Sequence, residues 1–158
     1  MLTNLAKASN MLRRMEIGKV LVPVNGNGVD REAIRLAGEL AEKTEASVRA
    51  VYVIEVERSL PLDAPHQKTA AAEGILARAE EIAAEEGYVV DTGLLQARDA
   101  GPAIVQEAKE GGVDLIVLGV GYKRRLGVFD MGNTTSHVLR EAPCHVVLYR
   151  AAKPEDTE

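Results

Sequence analysis

The sequence predicts an α/β fold: a single doubly wound domain with a five-stranded parallel sheet, in the order 3-2-1-4-5, and helices on both faces. Five short apolar runs, rich in β-branched residues, are typical of strands buried in a parallel sheet. Stretches with apolar residues at helical spacing separate consecutive runs, and this alternation predicts right-handed crossovers. The length of 158 residues suits one domain and is short for two.

Turn and breaker residues set the predicted element boundaries. The predicted strands are residues 19–24, 46–56, 88–96, 114–118 and 144–150. The predicted helices are residues 30–43, residues 69–86, a segment between Asp99 and Gly111, and a segment that begins near Gly132. Residues 25–28 form a turn after the first strand, and Gly87 ends the second helix. Pro61 and Pro65 predict a loop over residues 57–68.

Capping residues indicate where the third and fourth helices begin. Asp99 is a typical N-cap, and Pro102 is accepted in the first helical turn. Residues 133–136, with the sequence NTTS, form a capping cluster before the last helix.

The loop between the fourth strand and the last helix combines three features that favour anions. Gly119 and Gly132 let the backbone approach a ligand, the helix start offers free N–H groups, and residues 123–125 are cations. Two interpretations stay open from these residues alone: a phosphate site, or an ordinary glycine-containing loop with a solvated basic face. Gly119 and Gly121 do not make a dinucleotide fingerprint, because the third glycine is missing.

The predicted strand order places a ligand crevice between strands one and four, at the carboxyl ends where the winding reverses. The loops at that point are residues 23–28 and 119–133, the two most glycine-rich connections in the chain. Strand order and loop composition therefore predict a site at the same place.

Residues 119–150, which end in EAPCHVVLYR, resemble the C-terminal half of a universal stress protein domain. The nucleotide-binding branch of that family spaces three glycines and a hydroxyl residue so that the pattern falls on Gly119, Tyr122, Gly132 and Asn133. The first and third glycines match, whereas tyrosine replaces the second glycine and asparagine replaces the hydroxyl residue.

The resemblance extends over residues 18–150 and implies an adenine-nucleotide site. Asn25 stands where the family carries a nucleoside-contacting aspartate, and Val53 stands where the family's main chain meets the adenine. The implied site residues are Pro23, Val24, Asn25, Gly26, Val53, Gly119, Tyr122, Lys123, Gly132, Asn133 and Thr134. The implied ligand is ATP, AMP or another adenine nucleotide, with no metal beyond one that accompanies phosphate.

Two functions are predicted for such a domain. The first is a dimeric stress or metabolic sensor that binds an adenine nucleotide; the alternative is a nucleotide-independent dimeric scaffold that regulates a partner, such as a fused or associated transporter. The resemblance implies a homodimer paired through the last strand, from Cys144 to Arg150, whose edge would otherwise expose unpaired backbone groups. His66, His137 and His145 are scattered, so any enzymatic activity is expected to be at most slow nucleotide hydrolysis.

Composition restricts the partners and the location. The net charge of -5 argues against nucleic acid, and no apolar run approaches the length of a membrane span. Cys144 is the single cysteine, which excludes an internal disulfide, and the expected location is the cytoplasm. We expect residues 1–18 to be a tail or linker, or alternatively a basic membrane-surface or docking helix. Residues 19–150 are expected to form the domain, and residues 151–158 a disordered tail.

Overall fold

The computed structural model describes residue 7 and residues 10–155. In chain order its strands are β1 (Lys19–Pro23), β2 (Ser47–Glu55), β3 (Asp91–Ala97), β4 (Leu115–Val120), β5 (Arg124–Arg125), β6 (Val128–Phe129) and β7 (His145–Arg150). The helices that connect them are α1 (Val29–Thr44), α2 (Thr69–Glu85), α3 (Ala100–Glu110) and α4 (Asn133–Glu141). The central sheet has five parallel strands in the order β3-β2-β1-β4-β7, so the predicted class and strand order are confirmed.

Each face of the sheet carries its own hydrophobic core. Along β1, Val20 and Val22 pack with α1 and α2, whereas Leu21, between them, packs with α3 and α4. Leu21 and Ile116 are fully buried, and each such side chain contributes roughly 1.5–3 kcal/mol relative to exposure. Burial on both faces explains why these strands appear in the sequence as continuous apolar runs.

The loop after β4 is more regular than predicted, because it contains an antiparallel hairpin made of β5 and β6. Arg124 lies opposite Phe129 and Arg125 lies opposite Val128. Leu126 and Gly127 form the turn with φ values of 53° and 78°, and two positive φ angles match the twist of a two-residue hairpin. Two-residue strands are too short to show a period, and leucine is unusual at positive φ, so the sequence pattern did not indicate the hairpin.

β3 begins at Asp91 and not at residue 88, because Tyr88 packs against α1. The Tyr88 hydroxyl donates a hydrogen bond of 2.6 Å to the Ile34 carbonyl. Burial raises the pKa of this phenol above its ordinary value. The Tyr88 ring lies over Gly38, a position where a side chain would collide with it.

Residues that precede β1 contribute to the core on the α1 and α2 side. Ile17 is buried, and Leu12 and Met15 pack against the same cluster. The domain boundaries at residues 18 and 150 stay predictions, and residues 1–6, 8, 9 and 156–158 lie outside the described residues. Within the described part of the chain, no helix is long and apolar enough to cross a membrane.

Gly38→Ala should destabilise the fold, because the added methyl group would lie 2.3 Å from the Tyr88 ring. Overpacking lowers the free energy of unfolding by about 1–3 kcal/mol. The higher helix propensity of alanine raises it by only about 1 kcal/mol relative to glycine, so we expect a net loss of stability. Gly74→Ala is the matched control, since its methyl group would meet no atom within 4 Å on α2. We expect the control to raise the free energy of unfolding in urea by about 0.5–1 kcal/mol. Equal stabilisation of both variants would show that Tyr88 moves aside without cost.

Candidate functional site

A cleft of about 720 Å³ opens at the carboxyl ends of β1 and β4. The chain winds outward from β1 in one direction and from β4 in the other, so the loops after these strands diverge and leave a space between them. The cleft is lined by Pro23, Val24, Asn25, Asn27, Val51, Val53, Ala100, Ile104, Leu118, Gly119, Val120, Gly121, Lys123, Arg124, Arg125, Asp130, Met131, Gly132, Asn133, Thr134 and Thr135. The predicted crevice is therefore present in the structure.

One end of this cleft is apolar and belongs to the core. Val51 and Leu118 are buried side chains at its floor, and Val53 is half-buried beside them. The Val24 N–H donates to the Val51 carbonyl at 2.9 Å, which continues the sheet into the loop after β1. An apolar surface with adjacent backbone polar groups suits a flat ring system with a polar edge.

Asp30 holds the loop after β1 in place from below. Its carboxylate accepts the N–H groups of Asn25 and Gly26, at 3.0 and 2.6 Å. Desolvation by burial raises the pKa of Asp30, although these hydrogen bonds favour its charged form. This role has no distinct signal in the sequence, because an acidic residue in the first turn of a helix is also explained by the helix dipole.

The other end of the cleft is formed by the start of α4. Gly132 is the N-cap residue, with φ 82° and ψ 163°, and as a glycine it supplies no side-chain cap. The first N–H groups of a helix have no intrahelical partners, so those of Asn133, Thr134 and Thr135 are available for an anion.

The cations and one carboxylate lie at this same end. Lys123, Arg124 and Arg125 line the cleft from the β5–β6 hairpin, together with Asp130. The Asp130 Oδ1 atom accepts the Gly132 N–H at 3.1 Å. The cleft thus joins an apolar end to a charged end that is rich in hydrogen-bond donors.

Tyr122 does not line the cleft, although its chain neighbours Gly121 and Lys123 do. Its ring stacks on Phe129 with 5.2 Å between ring centres. The Arg150 guanidinium carbon lies 5.1 Å from the Tyr122 ring centre and 5.5 Å from that of Phe129. This group of three side chains, which we call the hairpin stack, ties the base of the hairpin to the end of β7.

Gly26 is the other predicted site residue that does not line the cleft. Its φ is 82°, and a side chain there would collide with Ile75 of α2 at 2.8 Å. Gly119 does line the cleft, but it also lies against α1, where a Cβ would come within 3.1 Å of Ala33.

The structure brings nine of the predicted site residues together around one cleft: Pro23, Val24, Asn25, Val53, Gly119, Lys123, Gly132, Asn133 and Thr134. That each of these residues contacts a ligand stays a prediction. Asp130 was not predicted, although an acidic residue before Gly132 is visible in the sequence.

The histidines do not contribute to this cleft. His66 lies in the loop before α2, His137 on α4 and His145 at the start of β7. Among the described residues, no group of three or more His, Cys, Asp or Glu side chains could hold a metal ion.

Comparison with known proteins identifies relatives over most of the chain. A family model described as the universal stress protein family matches residues 16–150. Universal stress protein MJ0531 of Methanocaldococcus jannaschii is 28% identical over 144 residues, which are 87% of this chain and 84% of that protein.

Two solved structures share the fold. A universal stress protein from Archaeoglobus fulgidus in complex with dAMP superimposes with a TM-score of 0.68 at 20% identity, over 83% of this chain and 96% of that chain. A universal stress protein family protein from Arabidopsis thaliana with AMP bound superimposes with a TM-score of 0.62 at 17% identity, over 88% and 97% of the two chains.

Tyr122→Ala should loosen the hairpin, because it removes the ring that contacts both Phe129 and Arg150. An aromatic pair contributes about 0.5–1.5 kcal/mol, and a cation over a ring contributes about 0.5–1 kcal/mol. We expect trypsin to cleave after the hairpin cations about tenfold faster, because cleavage follows the population of the open form. Cleavage after Arg58, in the loop that precedes α2, is the internal control and should not change. Equal acceleration at both places would indicate global destabilisation.

Proposed function

Since this chain belongs to the universal stress protein family, we propose that it is an adenine-nucleotide-binding regulatory domain that acts as a dimeric stress or metabolic sensor. The observation that carries the proposal is the cleft that joins an apolar end to a cationic end rich in N–H groups. Relatives of the same fold bind dAMP and AMP, which are adenine nucleotides with one phosphate. The chemistry of the cleft fits the two halves of such a ligand.

We assign the adenosine to the apolar end. The adenine would lie over Val53 and the floor of the cleft, next to Pro23 and Val24. Asn25 would replace the family's aspartate beside the ribose, since its amide can both donate and accept hydrogen bonds. Tight binding of the ring would come from buried apolar area, and the backbone groups of the loop would set its orientation.

We assign the phosphate to the start of α4. The N–H groups of Asn133 and Thr134 would donate to the phosphate oxygens, and the helix dipole would favour the negative charge. Lys123 would add a mobile ammonium group from the hairpin, because it lines the cleft and is exposed. In this proposal the domain binds a ligand without a catalytic step, and its expected location is the cytoplasm.

Calorimetric titration with AMP, ATP and adenosine tests the proposal. Lys123→Gln should lower the affinity for AMP and ATP by about fivefold, which corresponds to about 1 kcal/mol of binding free energy. The affinity for adenosine should not change, because adenosine has no phosphate. Lys109→Gln, at the exposed C-terminal end of α3, removes the same charge outside the cleft and should have no effect. Weakening of adenosine by the Lys123 variant would contradict the assignment of the two ends.

The alternative function, a nucleotide-independent dimeric scaffold for a partner such as a transporter, is favoured by two observations. Tyr122 and Asn133 depart from the family's phosphate pattern. Leu126 and Val128 are 97% and 68% exposed on the hairpin, where a partner could cover them. The same titration separates the functions, because a dimer that binds none of the three compounds would be a scaffold.

We also propose that the dimer forms through the open edge of β7. β7 is the last strand of the sheet order among the described residues. The N–H groups of His145 and Ala151 donate toward β4, to the carbonyls of Asp114 and Val120 at 3.2 and 2.8 Å. Because N–H directions alternate along a strand, the N–H of Val146 points to the open edge.

Val146→Pro should therefore abolish the dimer and retain the fold. Proline removes one N–H from the edge, and edge strands tolerate it where that N–H does not bond within the sheet. Val147→Pro is the matched control, since it removes an N–H on the β4 side and should cost about 3 kcal/mol or more in stability. Sedimentation and thermal melting distinguish the two. A Val146→Pro protein that still sediments as a dimer would place the interface elsewhere.

A further inference from the structure

We infer that Asp130 offsets part of the cationic charge of the cleft, so that a free triphosphate gains less affinity over a monophosphate than the cations alone would give, and a divalent cation restores that gain. This inference rests on the proposed nucleotide function. It assigns a specificity-determining role to a residue outside the family's glycine pattern.

Hydrogen bonds hold the Asp130 carboxylate close to the start of α4. Its main-chain N–H donates to the Lys123 carbonyl at 3.0 Å, which fixes Asp130 at the base of the hairpin. Its Oδ1 atom accepts the Gly132 N–H at 3.1 Å. A carboxylate is therefore held next to the N–H groups of Asn133 and Thr134, to which we assign the phosphate.

The charged end of the cleft carries three cations and one carboxylate. Asp130 shares the cleft with Lys123, Arg124 and Arg125, and Arg124 also lies over the Tyr122 ring with 5.8 Å to the ring centre. Each added phosphate brings negative charge toward the same carboxylate, and the repulsion grows with that charge. The attraction to the three cations grows in the same way, so Asp130 cancels part of the affinity that a more highly charged ligand gains from them.

A divalent cation would restore this gain in affinity. Carboxylate and phosphate oxygens are the ligands that Mg²⁺ uses when it accompanies a nucleotide. Asp130 is the residue at this end that would hold a magnesium ion accompanying the triphosphate, and the ion would offset part of the phosphate charge. The same side chain thus opposes free ATP and is compatible with its magnesium complex.

The charge of Asp130 can be separated from its structural role. Asp130→Asn keeps an oxygen that accepts the Gly132 N–H and removes only the negative charge. A loss of loop structure would be expected for Asp130→Ala, which removes the acceptor as well. Comparison of the two variants distinguishes an electrostatic effect from a conformational one.

The test is calorimetric titration of AMP and ATP, in EDTA and in excess Mg²⁺, with wild type and Asp130→Asn. In EDTA we expect Asp130→Asn to raise the affinity for ATP by about tenfold and the affinity for AMP by at most about threefold. In wild type, Mg²⁺ should tighten ATP several-fold, and in Asp130→Asn this gain should shrink. Glu42→Gln, on the exposed face of α1 outside the cleft, changes the net charge equally and should leave the ATP to AMP ratio unchanged.

Three results would overturn the inference. If wild type binds both nucleotides and Asp130→Asn leaves their ratio unchanged, Asp130 does not select by charge, and the proposed nucleotide function survives. If Glu42→Gln changes the ratio as much as Asp130→Asn, the effect belongs to the net charge of the protein. If neither wild type nor Asp130→Asn binds any nucleotide, the proposed function fails and this inference fails with it.

Discussion

Burial of both faces of the central sheet is the constraint on which the rest of the structure depends. The crossovers from β1 to β2 and from β4 to β7 run in opposite directions along the sheet, so right-handed connections place the helices that follow β1 and β4 on opposite faces. α1 goes to one face and α4 to the other, and the loops before them separate at the carboxyl edge. The cleft is therefore a geometric consequence of the strand order, and its existence does not depend on which side chains line it.

The two ends of the cleft differ in how firmly they are held. The apolar end is continuous with the core, since Val51 and Leu118 belong to the cluster between the sheet and α3. The charged end depends on the hairpin, which contacts the rest of the domain through the hairpin stack and the start of α4. Segments with few buried apolar contacts open at low free energy. A ligand would thus meet a rigid surface for its base and an adjustable one for its phosphate.

The sequence was sufficient for the features that depend on periodicity. Apolar runs and helical spacing predicted the five strands and their order, because a buried parallel sheet leaves few other patterns possible. Features that depend on contacts between residues far apart in the chain could not be predicted from the sequence. The sequence pattern assigns Tyr88 to a strand, whereas its ring packs over Gly38 of α1. The direction of the Tyr122 side chain is set by its contacts with Phe129 and Arg150. Neither contact leaves a periodic signal.

The two glycines that this chain shares with the family pattern are required for different physical reasons. These reasons explain why the chain tolerates tyrosine at position 122. Gly119 is required by close packing, since a Cβ there would lie 3.1 Å from Ala33 and 3.3 Å from the Val29 carbonyl. Gly132 is required by its backbone, with a φ of 82° that other residues rarely adopt. Position 122 meets neither condition: Tyr122 has no positive φ, and its ring packs away from the cleft. The tyrosine therefore leaves the cleft open, and it ties the hairpin to the end of the strand that we propose as the dimer edge.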